Sequence, residues 1–374
     1  MPSVIEAAEI EDHASSYRGS TPRNTNALNE WHERALGEVA VEPGFPIVDA
    51  HHHVFGAAGD PHYYQPTDLR RDISAGHNII GTVCVEAYRW GWRQGGAEAL
   101  KPVGEVEFLV DATAAPIQSR WGPCQVAAGI VSGADLTLGS GVSETLDAQL
   151  ESGQGRLRGV RHNAAHDDGP VGRFIKHPAV PHLLLDGDFR KGFALLRRRD
   201  LSFDAWIFHH QIEELVDLAA AFPDTRIVLN HVGGVIGVGK FGKERASVIS
   251  RWRADLRKLA ARPNVFAKIG GMGMPMFGFG FEHREAPATS ADLAPAWAPL
   301  IDECIEAFGP QRCMFESNFP VDRQSCGYTA LWNVFKRATA ALAPDERRDL
   351  FYRTACRAYR LPALEKAGDL ASGS

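Results

Sequence analysis

Two histidines separated by one residue, His51 and His53, close the apolar run Ile47-Val48-Asp49-Ala50. Alternate side chains of an extended strand share a face, so these two imidazoles converge while His52 points away. Converging neutral imidazoles suit a divalent metal ion, and they equally suit direct polarisation of a carbonyl. Further candidates recur in the same setting. His209 and His210 follow the run FDAWIF, and His231 follows RIVLN and precedes Gly233-Gly234. The segment LRGVRHN carries Arg161 and His162, where a guanidinium can hold a substrate carboxylate at two points. Lys268 interrupts the apolar VFAKIGG, so it must be paired or face an opening; Glu86 ends GTVCV in the same way. The stretch from Met314 to Asp322, MFESNFPVD, is a short apolar run followed by a polar turn in which a carboxylate is expected if water is to be activated. Any one of these residues is as easily a hydrogen-bonded structural group. Their recurrence at the ends of several apolar runs is what points to a site.

Those runs must be the strands that position the candidates. They lie at Ile47 to His51, Gly81 to Val85, Val126 to Val131, Leu157 to Arg161, Phe203 to Phe208, Arg226 to Asn230, Val265 to Ile269 and Cys313 to Phe315. Longer segments with helical patterning separate them. In QIEELVDLAAAF, Ile212, Leu215, Val216 and Ala219 share one helical face, and Pro223-Asp224 then turns the chain. Eight strands alternating with helices predict an α/β fold, a distorted (β/α)8 TIM barrel, with an open doubly wound sheet as the alternative of the same pattern. The domain division is an N-terminal extension over 1–45, with one amphipathic piece from Ala27 to Leu36, a barrel over 46–364 and a tail over 365–374. The extension packs either on the barrel or on a neighbouring copy, which leaves a homo-oligomer open. Gly270 to His283, GGMGMPMFGFGFEH, has neither strand nor helix period and is expected to be a flexible apolar loop covering the substrate.

The totals set limits. The 374 residues are 44% hydrophobic and 23% charged, enough for a large core. A net charge of −6 and a pI near 6.2 argue against nucleic acid as a partner, and a small-molecule substrate is expected instead. No glycine-rich nucleotide motif opens a helix. Six cysteines without C-x-x-C spacing read as reduced thiols. With no secretory pattern at the start and no run near the roughly 18 apolar residues of a membrane span, a cytoplasmic location is expected.

Taken in order, D-A-H-x-H (Asp49 to His53), G-V-R-H (Gly159 to His162), F-H-x-Q (Phe208 to Gln211), L-N-H-V-G-G (Leu229 to Gly234), N-V-x-x-K (Asn264 to Lys268) and S-N-F-P-V-D (Ser317 to Asp322) resemble the amidohydrolase-2 branch. That branch includes 2-pyrone-4,6-dicarboxylate lactonase and sugar-lactonase relatives. The resemblance extends to A-C-R-A-Y-R-L-P at Ala355 to Pro362. It implies a distorted barrel with His51 and His53 from the first strand, His209 from the fifth and His231 from the sixth at the site. It also implies either one zinc or manganese ion on His51, His53 and His209, or chemistry that needs no metal. One departure stands out: the aspartate of the family's S-D-W-P pattern, which activates water, is Asn318 here, and an amide cannot take up a proton as a carboxylate does.

The expected reaction is hydrolysis of a lactone or related cyclic ester. In it His51, His53 and His209 polarise the carbonyl, His231 and Asp322 transfer protons, and Arg161, with His162, Lys268 and Asn318, binds substrate. Two alternatives differ in class. One is metal-dependent decarboxylation of an unsaturated or aromatic acid, which would release carbon dioxide; the other is a catalytically silent binding barrel.

Overall fold

Runs of Val, Ile and Leu that are apolar on both faces can be buried only between a barrel interior and a surrounding helical layer. In a computed structural model, which describes residues 23–87, 89–169, 171–172, 175 and 177–372, they are arranged that way. Eight parallel strands follow one another: β1 (Pro46–His52), β2 (Asn78–Val85), β3 (Gly122–Gly133), β4 (Leu157–Arg161), β5 (Ser202–Ala205), β6 (Ile227–Leu229), β7 (Val265–Ile269) and β8 (Cys313–Phe315). Each pairs with the next. The last returns to the first just beyond β8, where the Asn318 N–H donates to His51 O at 2.8 Å and the His53 N–H to Phe319 O at 2.8 Å. The expected TIM barrel is therefore the fold, and all eight expected strands are present. A short strand, Ile117–Ser119, adds an antiparallel hairpin to the start of β3.

Between β5 and β6, the helix Ile212–Ala221 buries Ile212, Leu215, Leu218 and Ala219 on the sheet, the expected face shifted slightly so that Val216 is only half-buried. β5 itself ends three residues earlier than the sequence suggests. Trp206 O leaves the ladder to accept the Ala164 N–H at 3.1 Å, so Trp206, not a histidine, stands at the strand's end.

Residues 23–45 form a strap. A helix over Thr25–His32, shorter than the expected Ala27 to Leu36 piece, is capped by the Asn24 side chain, which accepts the Ala27 N–H at 2.9 Å. From it the Thr25 hydroxyl donates to Tyr63 O after β1, and Trp31 Nε1 donates to Arg284 O after β7. His32 Nε2 lies 2.8 Å from Arg323 O after β8. The strap then descends the barrel wall, where Glu38 accepts from the Ser290 hydroxyl and from Asn333. At the other terminus the helix Pro362–Ser372 runs through the expected boundary at 364 and packs on the barrel. A Cβ on Gly81 would lie 2.3 Å from Leu364, and one on Gly368 2.6 Å from the Tyr352 ring. All six cysteines are buried and unpaired, and among the described residues no helix is long and apolar enough to cross a membrane.

Candidate active site

The segments beyond β1, β6 and β8 meet in a buried cluster. His231 Nδ1 lies 2.6 Å from Glu316 Oε1, which also accepts the His231 backbone N–H at 3.1 Å. His51 Nδ1 lies 2.9 Å from Glu316 Oε2, and His51 Nε2 lies 3.1 Å from His53 Nε2. His53 Nδ1 is held 3.0 Å from Val85 O, which fixes the proton on Nδ1 and leaves Nε2 as an acceptor. The backbone is bent to allow this arrangement. His231 and Asn318 both have positive φ (53° each), a conformation non-glycine residues adopt rarely and chiefly where surrounding structure holds them. Gly270 and Gly271 are required beside them: a Cβ on the first would meet Glu316 Cγ at 2.4 Å, and one on the second His231 Nδ1 at 2.5 Å.

A layer of charge lies beneath. Lys268 Nζ donates to Asp204 Oδ2 at 2.7 Å and stands 3.3 Å from His51 Nδ1. Asp204 is further satisfied by the Tyr359 hydroxyl, 2.8 Å from Oδ2, and by Asn230 Nδ2 at 3.1 Å. Asp49 anchors the turn after β8, accepting the Ser317 N–H at 2.9 Å and the Tyr328 hydroxyl at 3.0 Å; burial raises its carboxyl to about 6. Burial is also the main cause of the shifts in the cluster. It pushes Glu316 up to about 8 against the pull of Lys268, and it holds His51, His53 and His231 well below 6.5, helped by the cations Lys268 and Arg161.

Above the cluster opens a cavity of about 700 Å³, whose floor is formed by His53, Arg161, Trp206, His231, Met274 and Asn318. Arg161 is aimed by Glu86: its Nε donates to Glu86 Oε1 at 2.6 Å and Nη2 to Glu86 O at 2.7 Å, while Nη1 lies 3.4 Å from His51 Nε2.

The structure thus brings together His51, His53, His231, Arg161 and Asn318. Four expectations are altered. His209, three residues past Trp206, opens a one-turn helix away from the cavity floor; its Nδ1 accepts the Ile236 N–H at 3.3 Å and its ring packs edge-on to Phe241. Lys268 is fully buried and committed to Asp204, so it supports His51 from below instead of reaching substrate. Asp322 is fully buried too. It accepts the Gly273 N–H at 2.9 Å and Asn318 Nδ2 at 2.8 Å, so it orients Asn318 and has no path to a water in the cavity. The loop from Gly270 to His283 is a wall, not a flexible cover: Met272, Met274, Met276 and Phe277 are all buried, and Met274 reaches the cavity. His162 lines the cavity, but its Nδ1 accepts the Leu136 N–H at 3.1 Å.

Glu316, Asp204 and Tyr359 carry parts of the site that the candidate set omitted, while Glu86, weighed for its place at a strand end, aims Arg161. For Glu316 a signal existed, since a carboxylate was expected in that turn. It stands two residues before Asn318, directly after β8.

Among the described residues, His51, His231 and Glu316 offer ligand atoms all within 4.8 Å of one another, and buried Glu316 Oε2, 2.9 Å from His51 Nδ1, is not aligned for a hydrogen bond with it. Two imidazoles and a carboxylate are donors that zinc and related ions accept, so the set fits a divalent ion, on a different triplet from the expected His51, His53 and His209.

A family model described as "Amidohydrolase" matches residues 48–361. An uncharacterized protein, y4mH, of Sinorhizobium fredii is 35% identical over 234 residues, 62% of this chain and 70% of its own length. An L-fucono-1,5-lactonase of Burkholderia multivorans is 32% identical over 208 residues, covering 55% of this chain and just under two thirds (64%) of that enzyme. Among solved structures, an amidohydrolase from Burkholderia multivorans with bound zinc superimposes with a TM-score of 0.60 at 25% identity, over 84% of this chain and 99% of that one. The motifs, the barrel and the family match agree: this chain belongs to the amidohydrolase family.

Proposed function

We propose that the protein hydrolyses a lactone or related cyclic ester by direct attack of water on the carbonyl carbon. The observation that carries this reading is the His231–Glu316 pair. Glu316 Oε1, which already accepts the His231 backbone N–H, lies 2.6 Å from Nδ1 and accepts there too; this fixes the ring proton on Nδ1 and leaves Nε2 bare, so that His231 can take a proton from water. Arg161, held rigid by Glu86, donates to the carbonyl oxygen as it gains charge. The ring C–O bond then breaks, and His231 returns the proton to the departing alkoxide, giving a hydroxy acid with no covalent intermediate. Glu316 takes the place that Asn318 vacates in the resemblance, acting through a histidine.

Held by His51, His231 and Glu316, a divalent ion would supply Lewis-acid polarisation of the carbonyl or of a water. His231 would then present Nε2–H and donate instead of accept. The same donor set favours a second reading, decarboxylation of an acid substrate.

The test is acid release from a panel of five- and six-membered lactones. His231→Ala and Glu316→Gln should each lower kcat by about 10²–10⁴. Unchanged turnover in either variant overturns the mechanism; carbon dioxide from aromatic acids, with no lactone turnover, favours the second reading. Elemental analysis with activity before and after chelation decides whether His231 Nε2 accepts or donates the proton.

A further inference from the structure

The cavity is not uniform. Its floor carries the buried polar groups His53, Arg161, His231 and Asn318, whereas its outer half is built by the segments after β2, β3 and β4 and is open to solvent. There several of the polar groups already have partners within the protein. Glu98 pairs with Lys101 at 2.5 Å, Asp135 caps its own turn by accepting the Thr137 N–H at 3.0 Å, and Asn163 donates to His177 O at 2.6 Å. Besides the Arg89 guanidinium, which lies over the Trp92 ring, what this half offers a ligand is apolar surface: Trp92, Leu138, Ile175, Val180 and Leu183. Leu138 and Val180 are 44% and 61% exposed on the same rim of the cavity, so a ligand arm lying between them would bury both. A volume of about 700 Å³ is in the range that holds drug-sized ligands, more than a single six-membered ring needs.

We infer that the outer half is a subsite for an apolar arm of the substrate, which is a cyclic ester bearing an alkyl or aryl substituent, its carbonyl at His231 and Arg161 and its arm lying against Leu138 and Val180. The inference rests on the lactone-hydrolase reading for the reaction but on different residues for recognition. A ligand covered by hydroxyls would have to share those outer groups with their protein partners, while an alkyl chain gains from each methylene it buries.

The experiment measures kcat and KM for six-membered lactones that differ only in substituent length, from unsubstituted to a five-carbon chain, and for an aryl analogue. KM should fall roughly three- to fourfold for each of the first two or three methylenes, with kcat little changed. Val180→Asp and Leu138→Asp should bring the ratio of kcat/KM between the longest and the unsubstituted lactone back toward one. A flat or inverse dependence on chain length in the wild type overturns the subsite and leaves the hydrolase reading standing. Absence of turnover with every lactone overturns the hydrolase reading; calorimetry with 5-hydroxyalkanoates of the same chain lengths then decides the subsite, affinity rising with length supporting it and equal affinities overturning it.

Discussion

Two lysines are completely buried at opposite ends of the barrel, and they solve the same problem differently. Near the mouth, Lys268 faces the carboxylate of Asp204, itself held by Tyr359 and Asn230. Near the base, Lys336 has neutral acceptors in hand: Glu42 O at 2.7 Å and His77 Nδ1 at 3.0 Å. Burial outweighs the attraction of the Glu42 carboxylate and lowers its ammonium to about 7. A carboxylate in direct contact offsets more of the cost of burying an ammonium than backbone and ring acceptors with a more distant carboxylate. The mouth has an ion pair, Lys268 with Asp204, under His51. The base has a hydrogen-bonding clamp that ties residue 42 of the strap to the helix Tyr328–Ala338.

Lys268→Met attacks the contrast most directly. It strands Asp204 as a buried unpaired carboxylate and removes the cation below His51, so denaturant unfolding should show a loss of about 3–5 kcal/mol, with turnover falling as well. A loss as small as that of a surface substitution would show that the two lysines are equivalent after all. Lys336→Met should cost less, about 1–3 kcal/mol for two acceptors left without a donor, and kcat should stay within about twofold, since the base takes no part in the chemistry. The smallest effect is in the pH dependence. Lys336 falls from 10.5 to about 7 and His77 from 6.5 to about 3 on folding, both mainly through burial. Between each pair of values the unfolded chain holds a proton that the folded chain refuses, so stability rises with pH. Below pH 8 the raised carboxyls Asp49 (about 6) and Glu316 (about 8) oppose His77 and His32, lowered to about 4, in both proteins, so the readout is a difference. The gap in melting temperature between wild type and Lys336→Met should widen from pH 7 to about 10; a constant gap overturns the assignment to Lys336.

The fold was readable in the sequence because burial on both faces leaves runs of branched aliphatic residues that little else explains. All eight strands lie where those runs are. The site was less so, for reasons that trace to single residues. Trp206-Ile207-Phe208 has the composition of a strand and extends the fifth run by three positions, yet Trp206 O turns to Ala164 instead. That displacement moves His209 out of the group and puts an indole where an imidazole was expected. Glu316 is next to a recognisable motif, but its contacts to His51 and His231 cross 265 and 85 positions of chain and exist only once the barrel closes. Tyr359, 155 residues from Asp204, left no local mark at all.

The strap has a consequence for how this barrel can change. Its hydrogen bonds fasten the segments after β1, β7 and β8, the sector that also carries His53, Met274 and Asn318, to the outer wall. The recognition sector after β2, β3 and β4 is assembled from separate pieces of chain. The outer residues of those pieces can thus vary while His53, Met274 and Asn318 stay clamped, so long as Arg161 on β4 keeps its partner Glu86 after β2. A shortened chain begun at β1 would lose the clamp, and with it the fixed side of the mouth against which the other side can change.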